Sequence, residues 1–152
     1  MKKRAIQISL LEDDYLQSSA IGQDLEKGFL GVQVNLYETE SEFRRNATAA
    51  AKANLAILDI CVMWAFPNSL VRRPRPQEVI DGGFFFGGIR CAKKLQEKNP
   101  QIPIILYTIL GKRLVKKMLR EEGVKVAAVV NKCGDPKCKR LCAAVRQVLG
   151  RS

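Results

Sequence analysis

The sequence predicts a single α/β domain built on a parallel sheet that helices cover on both faces. Three observations carry this. Short strand-like segments alternate five times with helical patterns. The central strand segments are apolar throughout, as strands buried on both faces are. The chain has 152 residues, 47% hydrophobic and 27% charged, which suits one globular core and excludes a fibre, a coiled coil or a mainly disordered chain. Right-handed crossovers then leave few topologies.

The first strand is Ala5 to Leu11. A helix follows with Leu16, Ala20, Ile21 and Leu25 on one face and Gly28 as its stop. Val32 to Tyr37 alternates as a second strand. Thr39-Glu40-Ser41-Glu42 reads as a capping box and opens a helix expected to reach Ala53. Leu55 to Leu58 is a third strand that ends on Asp59. Ile89 to Lys98 is helical and stops at Asn99-Pro100. Ile104 to Tyr107 is a fourth strand. Lys112 to Glu122 is a helix with Leu114, Val115, Met118 and Leu119 facing inward and Gly123 as its cap. Val126 to Val130 is a fifth strand, and Asp135-Pro136 opens a last helix towards Leu149.

One segment breaks the rhythm. Between Asp59 and Ile89 the connection is several times the usual ~2–6 residues of a strand-to-helix loop. Residues 60–87 are therefore expected to form an insertion within the domain. It holds Trp64, the cluster Arg72-Arg73-Pro74-Arg75-Pro76 and the run Gly82 to Gly88 around Phe84-Phe85-Phe86. The Arg/Pro part is expected to be exposed, and the aromatics to pack locally.

Charge and cysteines narrow the function. The net charge is +11, with seven basic against nine acidic residues up to Asp59, and nineteen against six beyond it. A basic half implies either a solvated surface or an acidic partner. The absence of histidine removes His-based triads, His general bases and His metal ligands. Cys61, Cys91, Cys133, Cys138 and Cys142 are odd in number, and the last three are spaced five and four apart, which is not a zinc pattern. Reduced thiols are expected, in a chain without a signal peptide or membrane span that stays in the cytoplasm.

In an open parallel sheet, chemistry collects beyond the carboxyl ends of the strands. Glu12, Asp13 and Asp14 follow the first strand, Asp59 the third, Thr108 the fourth and Lys132 the fifth. If the first and third strands are neighbours, Glu12, Asp13 and Asp59 converge. Clustered carboxylates call for a cation, and hard oxygen donors suit Mg²⁺ with its waters and a phosphate partner. A carboxylate is also a competent nucleophile for a phosphoryl group, whose transfer is served by in-line placement and charge neutralisation. Asp14 is assigned only the N-cap of the first helix.

Leu10-Leu11-Glu12-Asp13-Asp14, Leu58-Asp59, Leu106-Tyr107-Thr108 and Asn131-Lys132, in this order on five alternating strands, resemble the receiver domains of response regulators in two-component signalling. The resemblance covers nearly the whole chain outside residues 60–87. It implies a five-stranded flavodoxin-like sheet of order 2-1-3-4-5. It implies Asp59 as phosphoacceptor, with Thr108 and Lys132 on the phosphate. It implies Mg²⁺ held by Asp13, by Asp59, by Glu12 through water and by the backbone carbonyl of Cys61. Three positions depart from the family: Cys133 stands where a proline usually follows the lysine, Val129 where an aromatic switch residue is usual, and Ile109 where a small residue follows the threonine.

The expectation is a stand-alone receiver phosphorylated on Asp59 by a histidine kinase or phosphotransfer protein, signalling by protein contact. Its enzymatic activity would be at most Mg²⁺-dependent self-phosphorylation from a donor and slow loss of the phosphate. The alternative is an unphosphorylated pseudo-receiver that binds an acidic protein or nucleic acid through its basic half. Lys112, Arg113, Lys116, Lys117 and Arg120, with Lys137, Lys139, Arg140 and Arg146, would form that surface. No base-reading motif accompanies them, so nucleic-acid contact is expected to be weak.

Overall fold

The computed structural model describes residues 5–67 and 73–150. Five strands form one parallel sheet: β1 (Ile6–Leu11), β2 (Val32–Tyr37), β3 (Leu55–Leu58), β4 (Ile104–Thr108) and β5 (Ala128–Asn131). Their order is β2-β1-β3-β4-β5, and every neighbouring pair is parallel. The predicted fold class and strand order are those observed.

The pleat divides the core in two. Leu11, Leu58, Leu106 and Ile104 face one layer, where they pack with Phe43, Ile89, Leu95, Val115 and Met118. Ile8, Leu10, Ile57, Ile105 and Tyr107 face the other, against Ile21, Leu25, Leu141 and Val145. The first layer is covered by α2 (Glu40–Arg45), α3 (Ala47–Ala50), α5 (Gly87–Lys98) and α6 (Lys112–Glu122), and the second by α1 (Tyr15–Gly28) and α7 (Lys139–Val148).

Several local expectations are corrected. The buried stripe of α1 is Ser18, Ile21 and Leu25, while Leu16 is 78% exposed. Leu114, expected inward on α6, is 49% exposed. The helix expected over 40–53 breaks at Asn46, whose side-chain amide donates to the Glu42 carbonyl at 2.8 Å. Half of the capping box forms as expected, with Glu42 N–H on the Thr39 hydroxyl, but the Glu42 carboxylate accepts from Glu38 N–H rather than from Thr39. The strand expected from Val126 begins at Ala128. The last helix does not run from Pro136. Residues Pro136–Cys138 make a single 3-10 turn, Lys137 and Cys138 have φ of 53° and 50°, and the α-helix starts at Lys139.

The 60–87 segment opens on core residues, Ile60, Cys61 and Val62. Among the described residues it contains a short helix, α4 (Gln77–Gly82), and a 3-10 turn at Phe84–Phe86 that runs into α5. Phe84 and Phe85 are exposed and contact each other edge to face at 5.7 Å. Val71 and Arg72 of the expected exposed stretch lie outside the described residues.

Candidate functional site

The site is built by extending the sheet ladder one residue past the strand ends. Asp59 N–H donates to the Leu11 carbonyl at 3.0 Å, Glu12 N–H to Tyr37 at 3.1 Å, and Lys132 N–H to Thr108 at 2.9 Å. Glu12, Asp59 and Lys132 are therefore set by backbone that belongs to the sheet. Leu11 pairs with Leu58, so the acids following β1 and β3 meet as the sequence predicts.

The Lys132 ammonium bridges two carboxylates of the cluster. It donates to Asp59 Oδ2 at 2.8 Å, to Glu12 Oε2, and to Gln17 Oε1 on α1 at 2.8 Å, which uses all three of its donors. It also lies 5.7 Å from the centre of the Tyr107 ring. Glu12 is 2% exposed and Asp59 7%. Burial raises the Glu12 carboxyl above its ordinary range, with Asp59 adding to the rise and Lys132 opposing it. Burial does the same to Asp13, again reinforced by Asp59. Burial would lower Lys132, but Asp59 and Glu12 outweigh it and hold the ammonium above its usual range.

Asp13 and Thr108 reach the cluster differently. Asp13 Oδ2 accepts from Met63 N–H at 2.8 Å and so fastens the start of the inserted segment to the acid loop. Thr108 is fully buried and its hydroxyl oxygen accepts from Leu110 N–H at 3.3 Å. Asp59 Oδ1 accepts from Ile60 N–H at 2.7 Å. Cys61 is buried beside these groups, and burial together with Asp59 pushes its thiol up to about 11.

The donor set fits a hard divalent cation. Three carboxylates against one ammonium leave an excess of negative charge, and Asp59 adds to the rise that burial gives Glu12 and Asp13. Among the described residues no three acidic or cysteine side chains form a ready-made metal cage. An ion here would rest on one or two carboxylates with waters and a carbonyl, which is how Mg²⁺ is ordinarily held.

Two features were not read from the sequence. Gln17 completes the coordination of Lys132, and a glutamine five residues after an acid carries no motif. The second is the pair Gly87-Gly88. A Cβ at Gly88 would stand 1.9 Å from the Asp59 carbonyl oxygen, and one at Gly87 would stand 2.8 Å from the Val62 carbonyl oxygen. The glycines let α5 press against the backbone that carries Asp59, and Gly88 N–H donates to Ile60 at 2.8 Å. Behind them Glu40, fully buried, takes a bidentate bond from Arg90 and a second cation, Arg44.

Of the departures from the family, Ile109 is 60% exposed and lines a cavity of about 380 Å³ with Gln17, Tyr107 and Lys132. Val129 is half-buried against the core. Cys133 N–H donates to Asn131 Oδ1 at 2.7 Å, and among the described residues no peptide bond is cis.

No protein-family model and no curated protein sequence matches the chain. Solved structures do. A CheY-like response regulator receiver domain protein from Methanospirillum hungatei superposes with a TM-score of 0.68 at 18% identity, over 96% of this chain and 94% of that one. The non-phosphorylated HemR receiver domain of Leptospira biflexa gives 0.67 at 18%, over 97% and 96%. A response regulator receiver protein from Sinorhizobium medicae gives 0.66 at 17%, over 96% and 95%. The chain has the receiver fold. The likeness extends across nearly the full length of each of these domains. Among the described residues no helix is long and apolar enough to cross a membrane.

Proposed function

We propose that the chain is a phosphoacceptor module of two-component signalling, with Asp59 as the acceptor. The observation that carries this is the Lys132 ammonium on Asp59 and Glu12 at the carboxyl edge of a receiver fold. A carboxylate oxygen of Asp59 attacks the phosphorus of a phosphohistidine or small phosphodonor, and the donor's bond to phosphorus breaks with its electron pair leaving on the donor. Lys132 then transfers its hydrogen bonds to the new phosphoryl oxygens, and the buried Thr108 hydroxyl proton is available to one of them. Asp13, Asp59 and the Cys61 carbonyl, with Glu12 through water, would hold Mg²⁺, which would supply the positive charge that phosphoryl transfer demands. The partners are a histidine kinase or phosphotransfer protein upstream and a protein that reads the phosphorylated state downstream. Hydrolysis of the acyl phosphate resets the module slowly.

A second reading has its own support. Among the described residues all three Lys132 donors are committed and no preformed cage is present, so the ammonium is not free to receive a phosphoryl group. That suits a pseudo-receiver that is never phosphorylated and works by contact alone, with an acidic protein or, weakly, nucleic acid. Intact-mass measurement after incubation with acetyl phosphate and Mg²⁺ separates the two. The first reading expects one added phosphoryl group, lost on removal of Mg²⁺ and in Asp59→Ala. A wild-type chain left unmodified at saturating donor overturns it in favour of the second.

A further inference from the structure

The receiver chemistry leaves Trp64 and the Arg/Pro segment without a task. Both belong to the inserted segment, and hydrogen bonds tie Trp64 to α2 and Arg73 to Trp64. Ser41 N–H donates to the Trp64 carbonyl at 2.9 Å, and the indole N–H donates to the Arg73 carbonyl at 3.0 Å. The guanidinium of Arg44 lies 5.5 Å from the indole centre. Between these elements is a cavity of about 320 Å³ lined by Ser41, Arg44, Arg45, Trp64, Arg73 and Pro74.

Among the described residues the lining has three arginines and no carboxylate. Arg44 is paired with Glu40 and Glu78, which fixes it as a wall. Arg45 and Arg73 make no ion pair among the described residues. Arg45 spends only its Nε, on the Ser41 carbonyl at 3.3 Å. The neighbouring cavity over α5 is different, because Lys93 and Lys94 there are answered by Glu122 and Glu97. The Trp64 cavity therefore carries uncompensated positive charge together with an aromatic ring whose polar N–H is already used. What the indole offers a ligand is its ring surface.

We infer that this cleft binds a nucleoside phosphate, as a free nucleotide or as a unit of a single strand, with the base against Trp64 and Pro74 and the phosphate between Arg45 and Arg73. Arginine forks match phosphate oxygens in pairs, and base–aromatic stacking tolerates any base. The volume is at the small end of ligand pockets, which suits one nucleotide unit. An extended acidic peptide would use the charge and leave the ring surface idle. The site lies on the α2 side of the first core layer and shares no residue with the Asp59 cluster, so it stands whether or not Asp59 is phosphorylated.

Trp64 is the only tryptophan in the chain, so its fluorescence reports on this cleft alone. Titration with AMP in the presence of EDTA, which removes metal-bridged phosphate at the acid cluster, is expected to quench it saturably. Hexathymidylate is expected to quench it as well. Inorganic phosphate and adenosine are each expected to bind at least tenfold more weakly than AMP. Arg45→Ala with Arg73→Ala is expected to weaken AMP at least tenfold while leaving the far-ultraviolet circular dichroism unchanged, and Arg45→Lys with Arg73→Lys to recover only part of the loss. If that double alanine variant misfolds, Arg45→Ala alone is read against Lys112→Ala, which must leave AMP affinity unchanged. Absence of quenching by both AMP and hexathymidylate at millimolar concentration overturns the inference. So does inorganic phosphate, or a glutamate hexapeptide, binding as tightly as AMP, or quenching indifferent to Arg45 and Arg73.

Discussion

Lys132 is the one cation among Glu12, Asp13 and Asp59, and both of its carboxylate partners are almost fully buried. Removing one partner of a buried ion pair is costlier than the pair is worth, because the other charge stays desolvated. Lys132→Ala should therefore lower apo stability by about 3 kcal/mol in urea denaturation. Gln17→Leu, which removes only the third acceptor, should cost about 1 kcal/mol. Millimolar Mg²⁺ should return part of the loss in Lys132→Ala, since a divalent ion answers the same charges, and Lys132→Ala with Glu12→Gln should be more stable than the single variant. A Lys132→Ala chain as stable as wild type without metal would mean that the cluster is solvated. At this scale the sequence was informative: Glu12 and Asp59 could be placed together because each sits one residue past a recognisable strand, and Lys132 joined them through the family resemblance. Gln17 could not, because its part depends on where α1 crosses the strand ends.

The elements show where hydrophobic periodicity reads well and where it stops. Strands were legible because period-two burial in a two-faced core leaves apolar residues at every position, as in Leu55 to Leu58. The face of α1 was misread because Leu16 is left 78% exposed, while the small Ser18 is buried with its hydroxyl donating to the Tyr15 carbonyl at 3.1 Å. The start of α7 was misread because Asp135 caps it across a gap. Its carboxylate accepts from Arg140 and Leu141 N–H at 2.6 and 3.1 Å and from the Tyr107 hydroxyl at 3.1 Å, which holds Lys137 and Cys138 in a left-handed turn. Asp135→Ala should cost about 2 kcal/mol or more, from the lost cap and the orphaned Tyr107 hydroxyl. Lys137→Gly should gain about 0.5–1 kcal/mol by relieving the left-handed backbone. The glycines of α5 and α1 make a sharper pair. Gly88→Ala should destabilise by more than about 3 kcal/mol, since the new methyl meets backbone that cannot rotate away. Gly22→Ala, in the interior of α1 with nothing within 4 Å of the added carbon, should stabilise by about 0.5–1 kcal/mol. Thermal melts of the two variants check both signs, and equal effects would mean that α5 does not press on Asp59.

Across the whole molecule the thiols and the charge set the response to solution conditions. Burial pushes Cys138 up to about 11 and raises Cys91 well above its ordinary value of 9.0. In the unfolded chain both ionise near 9, so between that pH and their folded values the native state binds more protons, and stability falls as pH rises. Cys91→Ala with Cys138→Ala should flatten that fall in melts taken from pH 8 to 10.5. Charge acts over longer distances. The +11 excess is concentrated beyond Asp59, and on α6 the exposed Lys112, Arg113, Lys116, Lys117 and Arg120 have, among the described residues, one carboxylate partner between them, Glu121 on Lys117 at 3.8 Å. A convex helix face without a cavity or a base-reading element can meet a polyanion only through its phosphates. Duplex DNA should therefore bind weakly and without sequence preference at low salt, and release near physiological ionic strength, where screening acts over about 8 Å. Each phosphate contact contributes about 0.9 to the log–log salt slope, so Lys116→Glu with Arg120→Glu should lower the slope by about 2. The same variant should leave AMP quenching of Trp64 untouched, because α6 contributes only Glu122 to the neighbouring cavity and nothing to the Trp64 cleft. A sequence-selective complex surviving physiological salt would make duplex recognition a function of this face and would displace the phosphoacceptor reading from first place.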